Sequence, residues 1–261
     1  MKIDFKIPMT IEEFEFCEVP FGWKDEYCDG FAYITPREHG VLMKIPVEKR
    51  KTGFAAEIKP VSETSAQDLV ELFYESFVDS IEYVNRIESD VKRNAAREIR
   101  NFFKGKRGVP QPDVCKIAVL DSKVVGACLV SKYKFGYKDE IIFVHPKYQR
   151  KNIGSTLAAA VLNDLHKLGE EFFWSEHHIC NKLSADWHRK FGFMEVTDIL
   201  TAKLRQNYYR HEIYRQEYFG NKEKVAELEP ILMQVEAEVA RLEKIAKEDY
   251  QAAWMTWRYD F

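Results

Sequence analysis

The chain has 261 residues, of which 46% are hydrophobic and 31% charged, a composition typical of a folded protein in water. Its formal net charge of −3 excludes the basic field that draws proteins to nucleic acid, so we expect no nucleic-acid partner. No stretch reaches the roughly 18 apolar residues of a membrane span, and the N-terminus lacks the apolar run of a signal peptide. Five cysteines with no C-x-x-C spacing favour free thiols in the cytoplasm and predict no metal site.

The first part of the chain, 1–53, is rich in aromatic and turn-forming residues. Thr10 is followed three positions later by a glutamate, which is the pattern of a capping box at a helix start. The dipeptide Asp29-Gly30 between two aromatic-rich runs predicts a β-hairpin. A further strand is expected over 41–47, and the basic stretch 48–53 is typical of a linker.

The middle part, 54–206, alternates strands with helices, as the changing period of its apolar residues indicates. Its expected helices are 68–78, 87–104, 153–168 and 183–191. Its expected strands are 56–61, 114–120, 124–133, 140–144, 193–200 and one that begins at 171. The last part, 207–261, is predicted to form two helices separated by a turn at Gly220-Asn221.

Apolar residues recur every three or four positions along the second of these C-terminal helices. They are Val225, Leu228, Ile231, Leu232, Val235, Val239, Leu242 and Ile245. Such a stripe either packs within a helical pair on its own core or forms the seam of a homodimer, and both interpretations stay open.

The stretch 141–157 carries the strongest chemical signal, because it combines a predicted strand, a basic turn and the start of a helix. Backbone N–H groups at a helix N-terminus, together with the helix dipole, favour a phosphate anion. Arg150 and Lys151 add positive charge, and Gly154 permits a ligand to approach the backbone closely. The alternative is an ordinary basic loop between a strand and a helix.

This stretch resembles the pyrophosphate-binding loop of the GNAT superfamily of N-acetyltransferases. In that loop Gln or Arg is followed after two residues by Gly and then, after one more, by Gly or Ala. Gln149, Asn152 and Gly154 occupy the three signature positions. Asn152 replaces the usual first glycine, and asparagine is the residue that next best tolerates a left-handed backbone.

A second stretch resembles a later segment of the same family, which contains an asparagine, a helix and then Lys-x-Gly-Phe. Asn181, Lys190, Gly192 and Phe193 match that segment. The two segments stand in the family's order, with room for one helix and one strand between them. Their joint occurrence is therefore a stronger signal than either segment alone.

The resemblance implies an α/β fold of the α+β type, with a mixed, mostly antiparallel central sheet flanked by helices. Residues 1–53 and 207–261 would then be an N-terminal hairpin extension and a C-terminal helical extension. The resemblance also implies an enzyme that transfers an acetyl or other acyl group from acetyl-CoA, or another acyl-CoA, directly to the amine of a small molecule or a protein.

In this family the acyl-pantetheine arm lies where the strand before the loop diverges from its neighbour. The backbone N–H of Ile142 would then bind the acyl carbonyl and stabilise the tetrahedral intermediate, while the backbone of Val144 would contact the pantetheine. The resemblance thus implies a cofactor site formed by Ile142, Val144, Gln149, Arg150, Lys151, Asn152, Ile153, Gly154, Ser155 and Asn181.

Direct transfer requires a base, because a lysine-like amine is protonated at neutral pH. Glu140 is the leading candidate, since strand alternation places it on the face of Ile142 unless a bulge intervenes; the alternative is a solvated carboxylate at a strand start. His177 and His178 are rival bases. His188 stands where many family members have the tyrosine that protonates the departing thiolate, and it either acts as that acid or packs against CoA.

Two further interpretations concern the whole chain and its beginning. The fold could bind an acyl-CoA or a protein partner without catalysing transfer. The segments 10–14 and 22–30 are similar to the opening of Uma2-type nuclease-like proteins. No D…E-x-K arrangement follows at a suitable spacing, so we predict no nuclease activity.

Overall fold

The computed structural model describes residues 6–53, 56–84 and 86–255. The N-terminal residues Met1–Phe5 and the predicted domain limits at 54 and 261 lie outside the described residues. The strands are β1 (Lys6–Pro8), β2 (Trp23–Cys28), β3 (Phe31–Pro36), β4 (Gly40–Pro46), β5 (Glu57–Pro60), β6 (Val109–Pro110), β7 (Lys116–Leu120), β8 (Lys123–Tyr133), β9 (Gly136–Val144), β10 (Phe172–His178) and β11 (Met194–Glu195). The helices are α1 (Ile11–Glu15), α2 (Ala66–Phe77), α3 (Glu88–Phe103), α4 (Ile153–Lys167), α5 (Lys182–Phe191), α6 (Ile199–Tyr218), α7 (Lys222–Glu248) and α8 (Tyr250–Trp254).

An eight-stranded sheet forms the centre of the molecule, in the order β11-β4-β10-β9-β8-β7-β5, with β6 paired to β8. Only β9 and β10 run parallel to each other, and every other described pair in this sheet is antiparallel. The predicted fold, a mixed and mostly antiparallel sheet with flanking helices, is confirmed.

Helices cover both faces of this sheet. On one face, the rings of Phe73 and Phe77 from α2 lie 5.7 and 6.2 Å from the ring of Phe143 on β9. On the other face, α4 approaches β8 so closely that a Cβ atom at Gly126 would lie 3.1 Å from Cδ1 of Leu157. A glycine at this position is therefore what allows the helix to pack directly on the strand.

Strand β4 comes from the predicted N-terminal extension, yet it lies between β10 and β11 inside the main sheet. The division of the chain into three parts stays a prediction. Through β4, the first predicted part contributes a strand to the sheet of the second. After β4 the chain crosses the outside of α4, where Asn163 holds it. The side-chain oxygen of Asn163 accepts from the N–H of Arg50 (2.8 Å), and its amide group donates to the carbonyl of Arg50 (2.9 Å).

The remaining N-terminal residues form a second, three-stranded sheet in the order β1-β3-β2. The predicted hairpin is present, with Asp29 and Gly30 in the left-handed backbone conformation between β2 and β3. The capping box is present as well, because Thr10 and Glu13 each accept a hydrogen bond from the other's backbone N–H.

The strand predicted over 193–200 is wrong for most of its length. Within 193–200, only the two residues of β11 form a strand, which pairs with β4, and α6 begins at Ile199. The reason is a helix cap: the side chain of Asp198 accepts from the N–H of Thr201 (2.7 Å), which satisfies a free donor of the first helical turn. An aspartate at this position therefore favours a helix start over a continuing strand.

The C-terminal region contains the two predicted helices, α6 and α7, with a break at Gly220-Asn221. They pack against each other through a small apolar core of Ile199, Ala202, Val239 and Leu242. Part of the predicted stripe is exposed, including Ile231. None of the described helices is both long and apolar enough to cross a membrane.

We predict that α7 contributes to stability through its buried side chains. Leu242 is 2% exposed and Met233, on the same helix, is 70% exposed. Leu242→Ala should lower the free energy of unfolding by about 2–5 kcal/mol, because it leaves a cavity, whereas Met233→Ala should change it by less than about 0.5 kcal/mol. Urea denaturation followed by circular dichroism measures both, and equal effects would contradict the packed helical pair.

Candidate active site

A gap opens between β9 and β10, the two parallel strands. They pair only at Phe173 with Tyr137 and at Trp174 with Lys138. Beyond that point β10 continues beside β4 as far as His178, so the part of β9 that follows Lys138 has no partner on this side. The sheet therefore contains a wedge-shaped opening between two of its central strands.

The register of β9 determines which of its polar groups enter this gap. In an antiparallel pair, residues alternate between those that bond the partner strand and those whose N–H and C=O point away from it. The N–H of His145 donates to the carbonyl of Val125 on the β8 side (2.9 Å), which makes His145 a bonded position. By alternation Val144 and Ile142 are non-bonded positions, so their N–H groups point away from β8 and into the gap.

The loop after β9 has two non-glycine residues in the left-handed conformation. Arg150 has φ +58° and Asn152 has φ +62°. The left-handed backbone predicted for Asn152 is thus present, while that of Arg150 carries no signal in the sequence. Alternation of left- and right-handed residues turns successive N–H groups to one side, and the free N–H groups of the first turn of α4 follow directly. This is a backbone arrangement suited to an anion.

In the first turn of α4, Gly154 faces Val144 of β9 and Trp187 of α5. A Cβ atom at Gly154 would lie 3.8 Å from Cγ2 of Val144 and 4.0 Å from Nε1 of Trp187. The indole of Trp187 donates to the hydroxyl of Ser155 (3.0 Å), which leaves the hydroxyl hydrogen of Ser155 able to donate elsewhere. Ile153 is buried in the core, so only its backbone can face the loop.

The other predicted cofactor residues lie at the surface of the loop. Gln149, Arg150 and Lys151 are exposed. The side-chain amide of Gln149 donates back to the carbonyl of Val144 (3.1 Å), which joins the loop to the end of β9. The ammonium group of Lys151 lies 5.2 Å from the centre of the Tyr148 ring.

A cavity of about 580 Å³ lies beside this loop, and part of its lining was missed by the sequence analysis. It is lined by Glu48, Arg50, Lys51, Gly53, Asn152, Ser155, Thr156, Ala159 and Phe191. Arg50 donates to the carbonyl of Phe191 (2.9 Å) at the end of α5. The stretch 48–53 therefore adds basic residues to the loop region, a placement that depends on contacts distant in the sequence.

Glu140 lies in a β-bulge. Val130 is opposite Asp139 and Leu129 is opposite Ile141, so Glu140 is an extra residue in β9. Its carboxylate accepts a hydrogen bond from the hydroxyl of Tyr133. Tyr133 lies on the same face as Leu129 and Ile141 by alternation, whereas Ile142 faces the other side. Glu140 and Ile142 therefore do not share a face, because the bulge that interrupts the alternation is present.

The face that carries Glu140 also carries a set of charged groups near the gap. The ammonium group of Lys138 lies 3.6 Å from the carboxylate of Glu176 on β10. His178 follows two residues later on the same face, and its Nδ1 accepts from the N–H of Cys180 (3.2 Å). His177 faces the opposite side, and burial lowers its pKa. Among the described residues, no group of three or more His, Cys, Asp or Glu could hold a metal ion.

His188 is 1% exposed and lies under β10 rather than in the gap. Its Nδ1 donates to the carbonyl of Ser184 (2.7 Å), and its Nε2 lies 2.7 Å from the hydroxyl of Ser175. Burial lowers the pKa of His188 to about 4, so the ring is neutral at physiological pH. The predicted acid role would require a charged ring with a free nitrogen, and both ring nitrogens are engaged.

Asn181 caps α5, as its side-chain oxygen accepts from the N–H of Ser184 (2.9 Å). Its amide group donates to the carboxylate of Glu82 (2.8 Å), in the segment between α2 and α3. Both ends of the Asn181 side chain thus have protein partners. The cofactor contact predicted for it stays a prediction.

Residues 67–193 match the model of the acetyltransferase (GNAT) family. The chain contains a GNAT acetyltransferase domain. For this domain, the match confirms the predicted family, the predicted N-acyltransferase activity and acetyl-CoA as acyl donor. The GNAT match does not extend to the first 53 residues, and their similarity to Uma2-type proteins has no support.

Solved structures are similar to about half of the chain. A protein of Pyrococcus horikoshii is 19% identical, with 54% of this chain and 90% of that one covered and a TM-score of 0.42. The PaiA N-acetyltransferase of Thermoplasma acidophilum, in complex with coenzyme A, is 22% identical, with 54% and 91% covered and a TM-score of 0.41. An aminoglycoside 6′-N-acetyltransferase of Acinetobacter haemolyticus is 22% identical, with 54% and 93% covered and a TM-score of 0.38. No curated protein matches the chain.

Proposed function

We propose that the GNAT domain transfers an acetyl group to an amine that enters from the side of α2, with Ile142 as oxyanion donor and Glu140 as base. The observation that carries the proposal is the gap between β9 and β10, into which the N–H groups of Ile142 and Val144 point. Acetyl-CoA supplies the acetyl group as a thioester. The described residues fit this donor, since the gap leads directly to the anion-binding backbone of 150–154.

Ile142 acts through its backbone. An N–H group held in a strand is already oriented, so it stabilises a developing oxyanion without reorganisation. Val144 offers the next N–H in the same direction. Its carbonyl is occupied by Gln149, which keeps the end of β9 and the loop in one arrangement.

Glu140 is the proposed base, because it is the carboxylate nearest to Ile142 in β9 and it lies on the face toward α2. The acceptor must lose a proton before it attacks, and Glu140 can take that proton directly or through water. Glu176, on the same face of the neighbouring strand, also suits a cationic amine, and its carboxylate lies 3.6 Å from the ammonium group of Lys138. His178, on the same face, is the alternative base.

We place the adenosine end of CoA in the cavity beside the loop. Beyond the pyrophosphate, CoA carries a 3′-phosphate, and Lys51 is an exposed cation on the cavity wall. Arg50 closes the far side through its bond to Phe191. The proposal thus extends the phosphate site from the family's loop to the chain's own linker.

The cellular setting is also part of the proposal. All five cysteines are free thiols, which suits a reducing cytoplasm. The acceptor is an amine of a small molecule or a protein. A homodimer would use the exposed part of the α7 stripe.

The first prediction from the proposed function concerns cofactor binding. Saturating acetyl-CoA should raise the melting temperature, because a ligand at a hundredfold excess over its Kd adds about 2.7 kcal/mol. Gly154→Leu should abolish this shift, since the side chain would extend between Val144 and Trp187. Gly154→Ala is the control, because its Cβ meets only ordinary contact distances. Absence of both a thermal shift and calorimetric heat with the wild-type protein would refute the assignment.

The second prediction separates the base from its hydrogen-bonding partner. Tyr133→Phe removes the hydrogen bond between these side chains and keeps the proton acceptor, whereas Glu140→Gln keeps an oxygen that can accept from Tyr133 and removes the proton acceptor. Glu140→Gln should lower kcat by roughly 10²–10⁴-fold with little change in the Kd of acetyl-CoA. Tyr133→Phe should retain most of the rate.

The measurement is CoA thiol release with a polyamine, an aminoglycoside and a peptide N-terminus as acceptors. Equal losses in the two variants would show that the pair serves structure. Tight acetyl-CoA binding with no turnover on any amine would favour the non-catalytic binding module.

The third prediction tests the cavity. Lys51→Glu should weaken binding of CoA by roughly 10–150-fold, because it removes a charged contact worth about 1.5–3 kcal/mol, while binding of 3′-dephospho-CoA should change little. Lys49→Glu is the matched control, since Lys49 carries the same charge two residues away and does not line the cavity. Calorimetry measures the affinities of the wild-type protein and both variants for the two ligands, and an equal loss for both ligands in Lys51→Glu would exclude the 3′-phosphate from this cavity.

A further inference from the structure

Three buried polar side chains meet at the point where the gap begins. The hydroxyl of Ser175 lies 2.9 Å from Oδ1 of Asp139 and 2.7 Å from Nε2 of His188. Asp139 is 3% exposed, Ser175 0% and His188 1%. Asp139 and Ser175 directly follow Lys138 and Trp174, the last residues that pair β9 with β10. The side chains of Asp139 and Ser175 thus connect β9 to β10 at the point where the backbone pairing of these strands ends.

The direction of each hydrogen bond follows from the contact between His188 and the carbonyl of Ser184. The carbonyl of Ser184 can only accept, so Nδ1 of His188 carries a hydrogen. In a neutral ring Nε2 must then accept, and Ser175 is its donor. Ser175 has a single hydrogen, so its contact with Asp139 requires a hydrogen on the carboxyl group. Asp139 is therefore protonated when His188 is neutral.

The reverse arrangement has the same number of protons. If His188 carried two hydrogens, Nε2 would donate to Ser175, and Ser175 would donate to an ionised Asp139. In both arrangements one proton is shared between Asp139 and His188, and every contact is made. Without that proton, the single hydrogen of Ser175 faces two acceptors, and one contact is lost.

Burial selects between the two arrangements. It raises the pKa of Asp139 to about 7 and lowers the pKa of His188 to about 4, because each charged form would be removed from water. The proton therefore stays on Asp139 and leaves as pH rises through about 7. The titratable groups that face Asp139 are Lys138, Glu140, Glu176 and Cys128. His188 reaches Asp139 through Ser175, and His177 lies beside His188.

We infer that Asp139 and Ser175 are positioning residues for acyl transfer: with one shared proton they join β9, β10 and α5 at the apex of the gap and set its width. Asp139 is adjacent to Glu140 and three residues from Ile142, so a shift of this apex moves both groups. This inference rests on the proposed function, because it assigns the gap to the acyl donor. Loss of the proton should loosen the apex and weaken acetyl-CoA binding.

The test uses Asp139→Asn, whose amide can donate to Ser175 as the protonated acid does but cannot ionise. Wild-type Kd for acetyl-CoA should weaken about fivefold or more between about pH 6 and pH 8.5, the lower end of the usual coupling between two sites. The Kd of Asp139→Asn should stay constant over that range. Asp198→Asn is the control, since Asp198 is as buried as Asp139. Burial raises the pKa of Asp198, but the hydrogen bonds with His39 and Thr201 outweigh it, so that the pKa is lowered.

A second readout does not depend on acetyl-CoA or on any variant's stability. Infrared spectra of the wild-type protein should contain the band of a protonated carboxyl group that disappears with a midpoint near pH 7. Nitrogen NMR should show hydrogen on Nδ1 of His188. A missing carboxyl band, or hydrogen on Nε2 alone, would overturn the shared proton. If the band is present and acetyl-CoA does not bind the wild-type protein, the proposed function fails while the shared proton stands.

Discussion

The divergence of β9 from β10 is the constraint on which the site depends. Two central strands that stayed paired would bond the backbone groups that face each other and offer none of them to a ligand. Because these strands pair over only two steps, β9 keeps N–H groups that are oriented by the sheet and free of it. The same divergence exposes strand edges inside the molecule, a cost that a bound ligand or water must offset. Rigid donors without protein partners are what a transferase needs in order to stabilise charge that forms only during reaction.

Much of this arrangement follows from local patterns. The turn at Asp29-Gly30, the cap at Thr10 and the left-handed Asn152 are each determined by a few neighbouring residues, and each was predictable. The order of strands and helices in the GNAT domain was predictable for the same reason. The exception, over 193–200, arose where one capping side chain outweighed the β-propensity of the segment.

Other features depend on residues that are distant in the sequence. The bulge at Glu140 is defined by its pairing with β8, and an alternating pattern cannot reveal an extra residue. The linker at Arg50 joins the phosphate region because Asn163 holds it. The contact of Asp139 with Ser175 joins two strands, and a sequence pattern gives only their separate polarity. The left-handed backbone at Asn152 was therefore predictable from the sequence, whereas the placement of the groups around the gap was not.

The position of β4 has a consequence for how the protein is made. This strand leaves the ribosome before its partner β10, which is synthesised about 130 residues later, and in the finished sheet β4 lies between β10 and β11. Contacts this distant slow folding, because a long loop must close before they stabilise anything. Until then, the apolar side chains of Val41, Met43 and Ile45 have no core to join. The growing chain would be exposed to aggregation during this interval, and binding of this segment by a chaperone would protect it.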